Sequence, residues 1–171
     1  MGVKSAAVVA SCLVAAACSS GSTKNSPAVA GTAPFGGAPV RVATGTVGGK
    51  PWTANLARGK NETYCFEVSV MTSPSAGDPT TGCASPDSSG LSIGFAAGQP
   101  ASIVYGLVRP GRATAVKGRL GTQTFEANVI RLSPPGPWDV YLSVTDGAQS
   151  FGSPNSVVAT DASGAVVLRR G

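Results

Sequence analysis

Eight carboxylates are the side chains best placed to do chemistry in this chain of 171 residues: Glu62, Glu67, Asp78, Asp87, Glu126, Asp139, Asp146 and Asp161. Two carboxylates at a suitable separation can hydrolyse a glycosidic bond without help from histidine. Such help is not to hand, because the sequence contains no histidine at all. That removes the usual general base, the Ser-His-Asp and Cys-His arrangements, and the commonest metal ligand. The acids also sit in strings that read as turns or solvent faces. Asp78 precedes Pro79, Asp146 precedes Gly147, and Asp161 opens "DASG". No two of them are grouped with an activated side chain, so the chain reads as non-catalytic, with a histidine-free hydrolase as the alternative.

The second reactive set is four cysteines, at positions 12, 18, 65 and 83. Cys12 and Cys18 fall in or just after an apolar run, Ser5 to Ala17, that follows the single positive charge of Lys4. About 13 residues are too few for the roughly 20 that span a bilayer. A short positive start, an apolar stretch and small residues at its end predict a secretory signal peptide over 1–17. Export leads to an oxidising compartment, where Cys65 and Cys83 are expected to form a disulfide closing a loop of about 18 residues. A thiolate metal site would need both and would lack further ligands, so neither metal nor cofactor is expected.

Val14-Ala15-Ala16-Ala17-Cys18 resembles the lipobox of bacterial lipoproteins, departing from it at Ala15, where that family usually carries Leu. The resemblance implies that Cys18 receives a diacylglycerol, palmitate being an expected acyl chain, and becomes the mature N-terminus. Val9-Ala10-Ser11-Cys12 offers a comparable string, but Lys4 then lies too close to leave an apolar segment. Two acyl chains hold far better than one, at roughly 0.8 kcal/mol per buried methylene. The implied partner is the membrane, and the implied location its extracytoplasmic face.

Residues 18–39, after Cys18 itself, are rich in Ser, Gly, Ala, Thr and Pro and cannot bury enough apolar surface to offset their ordering entropy. They read as a tether with an r.m.s. reach of about 25 Å. Phe35 is its one residue suited to docking.

Residues 40–171 are long enough for one domain with its own core. They are rich in Gly, Pro, Thr, Ser and Val, a composition of short strands and turns. Tyr64, Phe66, Val68 and Val70 alternate with Cys65, Glu67 and Ser69, as in a half-buried strand. In "RATAVKGRLGTQTFEANVIR" (112–131), a two-residue Gly121-Thr122 turn pairs Lys117 with Glu126, Val116 with Ala127 and Gly118 with Phe125. Thr114, Val116, Leu120, Phe125, Ala127 and Val129 then share one face, and charges meet on the other. Further strands are expected at 40–47, 51–56, 91–96, 101–108, 138–145, 156–160 and 165–168. The segment from Thr72 to Gly82 reads as a polar surface loop. No stretch from Val40 onward has a helical period. The sum is an all-β, immunoglobulin-like antiparallel β-sandwich, with a small β-barrel as the alternative.

"YGLVRPGRATAVKGRL" and "VVATDASGAVVL" resemble a pattern in uncharacterised secreted proteins of high-GC Gram-positive bacteria. The resemblance implies a β-domain and an extracytoplasmic address, and it carries no catalytic residue.

Charge excludes little. From Val40 onward there are eleven Lys/Arg against eight Asp/Glu, and an exported chain does not meet nucleic acid. Arg109, Arg112, Lys117 and Arg119 form a basic group suited to anionic envelope polymers or lipid headgroups, or else a solvated face with Lys117 paired to Glu126. Asn61-Glu62-Thr63 matches a glycosylation sequon, taken as coincidence in a bacterial lipoprotein. Trp52 and Trp138 are core residues or exposed anchors. The leading reading is a binding or structural module of the cell envelope. A carrier of an apolar ligand is the alternative among non-enzymes.

Overall fold

Strict alternation in "YCFEVSV" can bury one row of side chains only if the segment is extended, and it is. Tyr64, Phe66, Val68 and Val70 are each at most 2% exposed, whereas Cys65, Glu67 and Ser69 are half-buried on the other face. The computed structural model describes residues 39–59, 62–72, 75–133 and 136–170, and these form twelve strands and no α-helix. Cys18, the leader, the tether with Phe35, and Asn61 of the sequon lie outside the described residues.

The strands are β1 (Val40–Val47), β2 (Lys50–Arg58), β3 (Tyr64–Thr72), β4 (Ser75–Ala76), β5 (Thr80–Ala84), β6 (Gly94–Ala96), β7 (Ala101–Val108), β8 (Ala115–Leu120), β9 (Gln123–Ile130), β10 (Asp139–Asp146), β11 (Pro154–Thr160) and β12 (Val166–Arg170). They form two antiparallel sheets. One runs β1-β2-β3, with β4 and β5 both pairing β3; the other runs β12-β11-β8-β9-β10-β7-β6. The sheets pack face to face as the expected β-sandwich.

The seven-stranded sheet also curls on itself, which gives the molecule two cores. Between the sheets lie Trp52, Tyr64, Phe66, Ile103, Leu107, Trp138, Val140 and their neighbours. Inside the curl lie Leu91, Val104, Val108, Val116, Leu120, Phe125, Tyr141 and Val157. This explains strands whose sequence does not alternate. All eight residues of β7 are buried, with Ala101, Ile103, Tyr105 and Leu107 facing the first core and Val104 and Val108 the second. Likewise Val140, Leu142 and Val144 of β10 face the first core, as expected, but Tyr141 on the other face is also fully buried.

The 112–131 hairpin has the expected register: Lys117 opposite Glu126, Val116 opposite Ala127, Gly118 opposite Phe125. Gly121 has φ +62° and Thr122 a negative φ, the pattern of a type II′ turn. Val116, Leu120, Phe125 and Ala127 are buried, but Thr114 is exposed. The alternation breaks one residue before β8, where Thr114 turns its N–H to the Thr160 carbonyl (2.8 Å) and Ala113 is buried instead.

The expected 72–82 loop is largely strand. β5 pairs with β3 over Thr80–Ala84, placing Cys83 directly opposite Cys65 in a disulfide. The segment lacks apolar alternation because Tyr105 from the facing sheet fills its place. A Cβ at Gly82 would collide with the Tyr105 ring, and a Cβ at Gly94 would meet that ring at 2.6 Å. The ring lies tilted on Phe66 at 5.2 Å. Gly82→Ala is therefore expected to destabilise by about 1–3 kcal/mol through overpacking. In a Tyr105→Leu background, which removes the ring tip, urea unfolding should show most of that cost gone.

Several turns share one end of the sandwich. Val108 pairs Asp139, Ile130 pairs Val140, and Ala115 and Val166 both pair Thr160, so the 109–114 loop, the start of β10 and the 161–165 hairpin tip lie together. The start of β1 lies there too. β1 runs alongside β10, and its far turn is marked by Gly48, whose backbone abuts the Asp146 carboxylate at the end of β10.

Candidate functional site

The carboxylates do not converge. Glu126 pairs with Lys117 (3.0 Å), Asp87 with Arg170 (3.3 Å), and Glu62 with Arg58 (3.8 Å). Glu67 accepts from Asn55, and Asp161 accepts from Ser163 N (2.9 Å), Ser163 Oγ (2.6 Å) and Ala165 N (3.0 Å). The Ser163 hydroxyl, more than the backbone donors, holds the Asp161 carboxyl below its ordinary range; the Ser89 donors do the same for Asp87. Asp78 and Asp146 are exposed. Among the described residues, no three His, Cys, Asp or Glu side chains gather at one metal-sized position.

Asp139 is the one acid of the eight that is buried. It is 6% exposed at the start of β10, and its Oδ2 receives Nη1 of Arg131. The other Arg131 terminal nitrogen, Nη2, donates to the Gly111 and Ala113 carbonyls, each at 2.7 Å. One guanidinium thus neutralises a buried acid and clamps the 109–113 loop. Nothing local signals the pair: the two residues are eight apart across a proline-rich turn.

Clamping that loop leaves a cleft of about 200 Å³ between it and β12, lined by Arg109, Pro110, Gly111, Arg112, Ala113, Val167 and Leu168. Its lining combines the apolar Pro110, Ala113, Val167 and Leu168 with the two arginines. Neither Arg109 nor Arg112 forms an ion pair among the described residues; the nearest influence on Arg112 is Asp161. The loop is held from its other flank by Arg109 N donating to the Gly90 carbonyl (2.8 Å).

The basic group read from the sequence is therefore split. Arg109 and Arg112 flank the cleft, whereas Lys117 and Arg119 lie on the outer face of β8, beside a shallow groove of about 440 Å³ that includes Thr124, Glu126, Ser156 and Val158. There Lys117 is paired with Glu126 as the solvated-face reading expects, and Arg119 Nε donates to the Gly121 carbonyl (2.8 Å). Trp52 and Trp138, 4% and 9% exposed, are core residues and not anchors. The sequence reading missed Val166 and Val167 of β12, which are 48% and 36% exposed. Their edge position, which no local pattern reports, leaves them uncovered.

No protein-family model, no curated protein and no solved structure matches the chain.

Proposed function

We propose that this protein is a membrane-anchored extracytoplasmic lipoprotein whose single β-sandwich serves the cell envelope as a non-catalytic binding or structural module. The observation that carries the reading is the Cys65–Cys83 disulfide. Such bonds persist in oxidising compartments and are rare in the cytosol. It agrees with the signal-like leader and leaves Cys18, in its lipobox-like string, as the attachment point. The tether of residues 18–39 would hold the domain near the bilayer. Carboxylates that do not converge, most of them engaged separately by a cation or by hydrogen-bond donors, favour binding over hydrolysis.

The test is intact mass on protein from membrane and soluble fractions of the native host, before and after reduction. The expected species is in the membrane fraction, begins at Cys18 with diacylglycerol mass, and gains two hydrogens on reduction. An unacylated soluble species cleaved elsewhere would overturn the anchor.

A further inference from the structure

We propose that the end of the sandwich bearing Arg109, Arg112, Val166 and Val167 is the face this domain lays against an anionic phospholipid surface. The inference rests on the lipid-anchor reading for its source of lipid, and on four features of the fold for its place. First, Arg109 and Arg112 are exposed and free of ion pairs among the described residues. Second, Val166 and Val167 are two of only four large apolar side chains left exposed among those residues. Third, a cleft of about 200 Å³ at this end brings Arg109 and Arg112 together with Ala113, Val167 and Leu168. Fourth, β1 begins at this same end, where the residues read above as a tether would join the domain.

Val167 lines the cleft beside the two arginines. Apolar surface next to guanidinium groups suits the boundary between headgroups and acyl chains, where arginine stems lie on apolar surface and their heads reach phosphate. Two of the three acids at this end are already paired with other cations, Asp139 with Arg131 and Asp87 with Arg170. Asp161, held by the neutral donors of Ser163 and Ala165, keeps its charge and offsets part of that of Arg112, leaving Arg109 the least compensated. The Arg131 clamp on Gly111 and Ala113 fixes the loop before any lipid arrives, so little ordering remains for binding. Contacts of this kind are individually weak, but an anchor keeps the surface at high effective concentration.

The experiment uses the chain from residue 18 with Cys18→Ser, so that no acyl chain contributes, and vesicles of phosphatidylcholine with or without phosphatidylglycerol. Near-UV circular dichroism checks folding of each variant. The expected result is co-sedimentation with phosphatidylglycerol vesicles that fades with added salt. Arg109→Glu/Arg112→Glu should weaken it at least roughly 25-fold, about fivefold for each cation removed. Val166→Ser/Val167→Ser should weaken it several-fold. Arg119→Glu makes the same charge change as either single reversal but lies on the other face, and should cost less than about twofold. Equal losses for Arg119→Glu and Arg112→Glu would overturn the proposal in favour of diffuse charge. So would equal binding to phosphatidylcholine alone, no binding to either vesicle, or undiminished capture by inorganic phosphate or an acidic peptide in place of vesicles. Because the acyl chain is absent, failure here is separate from failure of Cys18 acylation in the host.

Discussion

Replacing Arg131 with methionine should lower the unfolding free energy by about 3 kcal/mol, among the largest single effects this domain can show away from its apolar cores. The reason is an asymmetry between the partners. Arg131 is roughly half exposed, at 47%, whereas the Asp139 side chain is 8% exposed. Removing the arginine strands a buried carboxylate without a counter-charge, a loss typically of about 3–5 kcal/mol. Removing the carboxylate instead leaves an arginine that water can reach and that still donates to Gly111 and Ala113. Asp139→Asn should therefore cost only about 1–2 kcal/mol. Arg131→Lys should fall between, because an ammonium supplies the charge but not the planar fork that reaches three acceptors. Urea unfolding ranks the three. If Arg131→Met costs under about 1 kcal/mol, the pair is an ordinary surface bridge, and the loop over the cleft has no fixed clamp.

The second large effect should come from Cys65→Ala/Cys83→Ala. The bridge closes a loop of 18 residues, for which the chain-entropy estimate is about 3 kcal/mol. Its half-cystines are opposite partners in the β3–β5 pairing, so the folded sheet has hydrogen bonds of its own to hold that register. The loss should consequently fall on the unfolded chain, which becomes freer and more expanded. Two readouts follow: the urea midpoint drops, and the m-value rises as more surface is exposed on unfolding. A lower midpoint with an unchanged m-value would place the effect in the folded state, and with it the role of β5 as a stapled edge.

How far the sequence reaches can be judged from particular strands. The β8–β9 hairpin was legible to the residue because one glycine fixes its turn, and any slip of register would bury Lys117 and Glu126. The β11–β12 hairpin was legible for a similar reason, with Asp161 and Gly164 marking the turn. β5 was not, because its filling comes from Tyr105 in the other sheet and its own residues look like loop. The second core was not, because curling of a sheet depends on which strands meet at long range, and Tyr141 reads equally well as a solvent-face residue. At the candidate site the arginines were visible as a group. Their division between two faces was not, since β8 begins only after Thr114, and that break depends on a hydrogen bond to Thr160 from a strand more than forty residues away.

The burial of β7 on both faces has a consequence for the chain before it is folded. "ASIVYGLV" is eight residues without a charge, a proline or a long polar side chain, the composition of a segment that stacks with copies of itself into cross-β assemblies. Thirty residues separate β7 from its partner β10, so an emerging chain exposes β7 before that pairing is possible. Pro100 stands immediately before the segment, and Arg109-Pro110 immediately after it. A ring that cannot donate and a charge that repels its own image are what stop such strands from growing into fibrils. The residue that lines the cleft in the finished domain is thus also a gatekeeper during its assembly, and substitutions at Arg109 should be read for yield and aggregation as well as for binding.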